Sequence, residues 1–222
     1  MDTIMLHNVI GHNIRSNIPT SLIRMGDGEA EIMRAARGGR KNISLYNVHW
    51  LAKLGLIGTD LTVVAQGLLR AGSEATFLAP ADKGLYFPLY DIYSYFPDRS
   101  SFVGIEYPQI WHTMGVIKNM LTTIPVLILH RDASTYAATL SRIYKTDSIF
   151  GIELGSWKDH AKIKLKINKI VAAHDIKLLL VSGGPAGKAL IVDLAKITGK
   201  VVIDIGSKMD MYIRAPGDQI CN

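Results

Sequence analysis

The chain's 222 residues are 48% hydrophobic and 20% charged, which fits one globular domain over residues 1–222 and excludes a disordered tail, a collagen and a disulfide-stapled miniprotein. A single cysteine, Cys221, rules out an internal disulfide and any zinc site built from several cysteines, and it suits a reducing, cytoplasmic compartment. The formal charge of +6 suits anionic partners such as nucleotides, phosphates, nucleic acid or an anionic membrane surface, and it serves equally well as a solubility setting.

Residues 3–16 space Ile4, Leu6, Val9, Ile10 and Ile14 as an amphipathic helix. Asp2 stands where an export signal would carry basic residues, and no apolar run in the chain approaches membrane-spanning length. Ser21–Met25 reads as a buried strand, followed by the turn Gly26-Asp27-Gly28-Glu29 and a helix from Ala30 to Arg37 that Gly38-Gly39 ends. A helix over 59–72 and a short strand over Ala75–Ala79 come next, whereas the Tyr-, Phe- and Pro-rich segment 84–108 resists assignment. Gln109–Thr122 reads as a helix, Pro125–Leu129 as a strand, Ala133–Lys145 as a helix and Asp147–Leu154 as a strand. Residues 157–173 form a lysine-rich helix; strand 176–181, a Gly-rich turn, helix 186–198 and strand 200–205 close the series.

This alternation predicts an α/β fold: one Rossmann-like domain with a mostly parallel sheet and helices on both faces. The runs VLIL, KLLLVS and KVVIDI are apolar almost without interruption, the pattern of strands covered on both sides. Such sheets bind ligands beyond the carboxyl ends of their strands, so the residues that follow each strand are where chemistry is expected.

Two of those loops carry suitable residues. In the first, Asp27 and Glu29 stand two apart between Gly26 and Gly28. On an extended segment they would point to one side and present hard oxygens to Mn2+ or Mg2+, which takes one or two carboxylates plus substrate phosphates. The glycines admit close approach of a ligand, and Arg24 can pair with a phosphate. The same residues are also ordinary turn and helix-start chemistry. In the second, Gly183, Gly184 and Gly187 surround Pro185 ahead of a helix whose free N–H groups suit an anion, with Lys188 adding a cation. A Walker A loop is excluded, because Ser182 replaces its first glycine and Ala189 its metal-binding hydroxyl. A dinucleotide fingerprint is nearer: Asp204 ends the next strand 21 residues after Gly183, where a ribose-binding acid would stand. The alternative is a tight helix–strand connection with Asp204 as a strand-end cap.

Together the two loops resemble the bacterial GT-D-type glycosyltransferases, first catalogued as a domain of unknown function. Arg24–Glu29 matches the Arg-x-Gly-Asp-Gly-Glu hallmark. Gly184, Pro185, Leu190, Asp193 and Leu194, followed by Asp204, Ile205 and Gly206, match the second one. The resemblance implies a metal-dependent transfer from a UDP-sugar, glucose or N-acetylglucosamine, to a glycan or glycoprotein acceptor, with Asp27 and Glu29 engaging the metal and the diphosphate. The chain departs from the family where Ser207 replaces a histidine, and Ser207 and Asp210 are candidates for its place. A general base is drawn from Asp204, Asp210 and Glu153. Competing readings are a Rossmann-type enzyme that binds S-adenosylmethionine or NAD, and a non-catalytic module for nucleotides or polyanions. No nucleic acid is expected as the physiological partner.

Three further features carry weaker expectations. Lys158, Lys162, Lys166 and Lys169 share one helix face, which suits solvent, an anionic acceptor or a membrane surface. The aromatic segment 86–96 suits core packing, the interface of a homo-oligomer or an acceptor loop. The seven histidines show no metal-ligand spacing; only His49, beside Trp50, and His130, directly after a strand, are placed suggestively.

Overall fold

The computed structural model describes residues 1–37, 56, 58–81, 89–97 and 101–209. Six strands form one sheet: β1 (Thr20–Met25), β2 (Phe77–Pro80), β3 (Val126–His130), β4 (Ile149–Glu153), β5 (Leu178–Ser182) and β6 (Val201–Asp204). Their order is β2-β1-β6-β5-β3-β4 and every pairing is parallel. β3 and β5 are buried along their whole length, as their unbroken apolar runs require.

Helices cover both faces. On one lie α2 (Asp27–Arg37), α3 (Leu61–Glu74), α4 (Leu89–Ser94), α8 (His160–Ala173) and α9 (Gly184–Thr198). On the other lie α1 (Thr3–Arg15), α5 (Tyr107–Thr113), α6 (Val116–Thr123) and α7 (Ala133–Tyr144). Local chemistry sets several of the ends. The Asp2 and Asp60 carboxylates accept N–H bonds of 2.8 Å at the starts of α1 and α3. Gly199, at φ 67, ends α9 in the left-handed conformation that glycine takes without steric penalty.

Three expectations are corrected. The single helix over 109–122 is two, α5 and α6, divided at Gly115 with φ 71. The lysine-rich helix starts with a 3-10 turn, Trp157–Asp159, and becomes α-helical at His160. The turn after β1 is already helix: α2 begins at Asp27 rather than Ala30. Of the earlier expectations, Gly38-Gly39, His49, Trp50, Asp210, Cys221 and most of the first half of the aromatic segment lie outside the described residues.

Asp193, in the second hallmark, is a joint between helices. Its carboxylate accepts a fork of bonds from Arg70 of α3, at 2.9 and 3.0 Å, and pairs with Lys164 of α8. Burial by itself would raise the pKa of Asp193, but the hydrogen bonds from Arg70 and Lys164 outweigh it and hold the group below the ordinary aspartate value. The Asp193→Ala variant is expected to lose about 1–2 kcal/mol in urea unfolding at neutral pH. A carboxylate with a depressed folded pKa stabilises above its unfolded value and loses that effect as pH falls. The gap to wild type should therefore be full above about pH 5 and close below about pH 4.

Candidate functional site

The strands run in parallel, so their carboxyl ends share one edge of the sheet, with β6 beside β1 and β5 on the far side of β6. The first loop leaves β1 at Met25, and Asp27 and Glu29 fall in the first turn of α2. Residues two apart on a helix diverge by about 200°, so the two carboxylates do not converge as an extended segment would have made them. Asp27 is exposed and its Oδ1 accepts the Gly28 N–H at 2.9 Å. Glu29 is only 5% exposed. Its Oε2 accepts the Gly26 N–H at 2.8 Å and lies 2.7 Å from the Lys188 ammonium.

Lys188 is likewise buried and is not a free cation at the rim. It bridges Glu29 to Asp204, whose Oδ2 is 3.8 Å away. Asp204 is 1% exposed. It accepts N–H bonds from Arg24 at 3.1 Å and Gly206 at 2.9 Å, and the Tyr107 hydroxyl donates to its backbone carbonyl. Burial raises the pKa of Asp204, against the opposing pull of Lys188 and Arg24. Two carboxylates therefore share one ammonium, and the rise on Asp204 moves the group toward neutrality. In this arrangement Asp204 anchors the ends of β1 and β6 from a buried position.

The second loop divides by role. A side chain at Gly183 would run into Leu154, and one at Gly187 would come within 3.0 Å of Val181. Both are small because helix and strands close on them. Gly184 has φ 54 and is half-exposed, so the open N–H groups of α9 lie at Gly183 and Gly184. Pro185 is buried behind them. Arg24 is half-buried and donates from Nε to the Ile105 carbonyl at 3.2 Å and from Nη1 to the Ile205 carbonyl at 3.4 Å. Gly206, at φ 54, leaves room for that guanidinium. Ser207 is exposed next to it.

Glu153 stands apart. It is exposed at the end of β4, four strands from β1 and so about 19 Å across the sheet. The reversal of winding falls between β3 and β5, because α7 leaves β3 on one face and α9 leaves β5 on the other. His130 and Ser182 are register partners there. The His130 ring stacks on Tyr136 at 4.4 Å, and its Nδ1 accepts the Asp132 N–H at 3.0 Å. The sequence reading passed over Ser182 as a site residue, and over Ile105 and Tyr107. The first follows from the rule that strand ends carry the site; the other two lie in the segment that had no periodicity to read.

Among the described residues no group of three or more His, Cys, Asp or Glu side chains gathers as a metal cage. As a donor for a hard cation Asp27 fits, being exposed and anionic. Glu29 does not fit in this arrangement, since the Lys188 ammonium already occupies the position beside its carboxylate.

The model of the GT-D fold-like domain matches residues 1–212 of the chain. The chain belongs to that family. Two solved structures share its fold. One is of domain of unknown function 1792, described as having a distinct glycosyltransferase fold. It is 19% identical, covers 93% of this chain and 77% of its own, and has a TM-score of 0.58. The other is a selenomethionine-substituted structure of the same domain, at 18% identity, the same coverage and a TM-score of 0.56. Comparison with curated proteins gives no match. Among the described residues no helix is long and apolar enough to cross a membrane.

The buried triad makes its own prediction for this GT-D-like chain. Lys188→Met leaves Glu29 buried without its cation and should lower stability by about 3–5 kcal/mol in denaturant unfolding. Adding Glu29→Gln should recover much of that loss, giving a large coupling energy in the double-mutant cycle. Additive losses would mean that the ion pair does not hold the site together.

Proposed function

We propose that the chain is a glycosyltransferase that takes a UDP-sugar, with glucose or N-acetylglucosamine as the sugar, and passes it to a glycan or glycoprotein acceptor. The observation that carries the reading is the pairing of an exposed Asp27 after β1 with the open helix N-terminus at Gly183 and Gly184 after β5. The two strands are separated by β6 alone, about 10 Å in all, a span suited to a diphosphate. Membership of the GT-D-like family over residues 1–212 supports the same class.

The roles divide by charge. Asp27 would hold Mn2+ or Mg2+ together with diphosphate oxygens, and the cation would neutralise charge on the departing diphosphate. The N–H groups of Gly183 and Gly184 would donate to phosphate oxygens at the positive end of α9. Arg24, fixed over Gly206 by two backbone carbonyls, would add its guanidinium, and Ser207 a hydroxyl at the same rim. Glu29 and Lys188 would act beneath the loop, by fixing the start of α2 against α9. A dinucleotide reading has less support, because the ribose-binding role it gives Asp204 falls on a buried carboxylate that the backbone already occupies.

The test is thermal unfolding with UDP, with and without manganese, beside S-adenosylhomocysteine and NAD. UDP with manganese at about 100 times Kd should add about 2.7 kcal/mol, a rise in Tm of roughly 5–10 °C for a chain of this size. Asp27→Ala should abolish the manganese-dependent part and lower transfer about 100-fold or more, with an unchanged Tm in the absence of ligand. A shift with S-adenosylhomocysteine or NAD, and none with UDP, would overturn the reading.

A further inference from the structure

Helix α8 shows two different faces. Ile163, Ile167 and Val171 are buried in the core. On the opposite side Lys162, Lys166 and Lys169 are exposed, and Lys158 continues the row from the preceding turn. Helical geometry places Lys162, Leu165, Lys166 and Lys169 within about 100° of arc, along a row that with Lys158 is about 17 Å long. Leu165 is 70% exposed in the middle of them. From His160 to Ala173 there is no acidic residue.

The lysines of this helix are not equivalent. Lys164 turns to Asp193 and is spent in the joint with α3 and α9. Among the described residues the other four are held in no ion pair. Asp159, the nearest acid in sequence, is engaged by Ser156, whose N–H and hydroxyl donate to it at 3.0 and 2.9 Å. His160 adds no charge: burial first, and then the field of Lys164, lowers its pKa to about 4. The exposed face is therefore cationic with an apolar centre.

We propose that this face of α8 docks on a bilayer surface carrying anionic phospholipid, with the four lysines at the headgroups and Leu165 entering between them. Charge complementarity selects an anionic surface. Leu165 selects a bilayer over a soluble polyanion, which has no apolar layer to receive it. The 3-10 turn before α8 follows the carboxyl end of β4, so Lys158 lies toward the edge of the sheet that carries the candidate site. The docked protein would hold that edge beside the membrane.

The experiment is sedimentation of the full chain with vesicles of phosphatidylcholine alone or with 30% phosphatidylglycerol by composition. Binding is expected only to the anionic vesicles and should weaken as salt rises. Each lysine is worth about a fivefold change in partition, so a Lys158/Lys162/Lys166/Lys169→Gln variant should lose several hundredfold. Leu165→Gln should also weaken binding with the charges intact. UDP-induced stabilisation should be unchanged in both variants, which keeps this test independent of the donor-site reading. No binding to anionic vesicles, equal binding to neutral ones, or full binding by Leu165→Gln would overturn the proposal. Should the quadruple variant fail to fold, the four single Lys→Gln variants and the salt series on wild type decide the same point.

Discussion

The arrangement at the carboxyl edge depends on one buried ammonium. Lys188 comes from the first turns of α9, Glu29 from the first turn of α2 and Asp204 from the end of β6. Burying one such charge without partners is prohibitive, and burying three is tolerable only if each answers another. The contacts meet that condition: Gly26 donates to Glu29, Arg24 and Gly206 donate to Asp204, and Lys188 lies between the two acids. Two helices and two strands are thereby fixed relative to one another at the place where a ligand would sit. A loop held this way needs little reordering on binding, which lowers the entropic cost of gripping a ligand.

Much of the fold was legible in the chain. Uninterrupted apolar runs gave β3, β5 and β6, because strands covered on both faces have no polar side to alternate with. The β5–α9–β6 unit was readable for a further reason: its turn glycines and its proline at the start of the helix are local signals. Most boundaries moved by a residue or two, as hydrogen-bonded ends do, and the starts of α2 and α8 moved by three. The break between α5 and α6 was missed because Gly115 reads as a tolerated helix glycine until its left-handed φ is known.

The site was legible in its residue types and not in their directions. Asp27 and Glu29 stand out in the sequence as a carboxylate pair on an extended segment, whereas both lie in the first turn of α2. What turns Glu29 inward is Lys188, which lies 159 positions later in the chain, and no local pattern carries that pairing. The same holds for Lys188 itself. Adjacent to a glycine-rich turn it reads as a phosphate cation, whereas packing of α9 on the sheet draws it inward to the acids. Asp193 shows the complementary case, since a hallmark position proves to be a joint among three helices.

The hallmark residues and their neighbours sort by what surrounds them. Glu29, Asp193, Asp204, Pro185, Gly183 and Gly187 are held by packing or by charge partners, and each would be intolerant of change for structural reasons alone. Asp27, Gly184, Arg24 and Ser207 retain exposed or half-exposed groups at the edge. A motif can thus be strict for two unrelated reasons within a few residues, as Asp27 and Glu29 show. Loss of activity on changing a buried hallmark residue would report a collapsed loop, whereas the same loss at Asp27, with stability intact, would report chemistry. The distinction rests on burial: Glu29 is closed in by the Lys188 ammonium and the Gly26 N–H, whereas Asp27, two residues earlier on the same helix, is exposed.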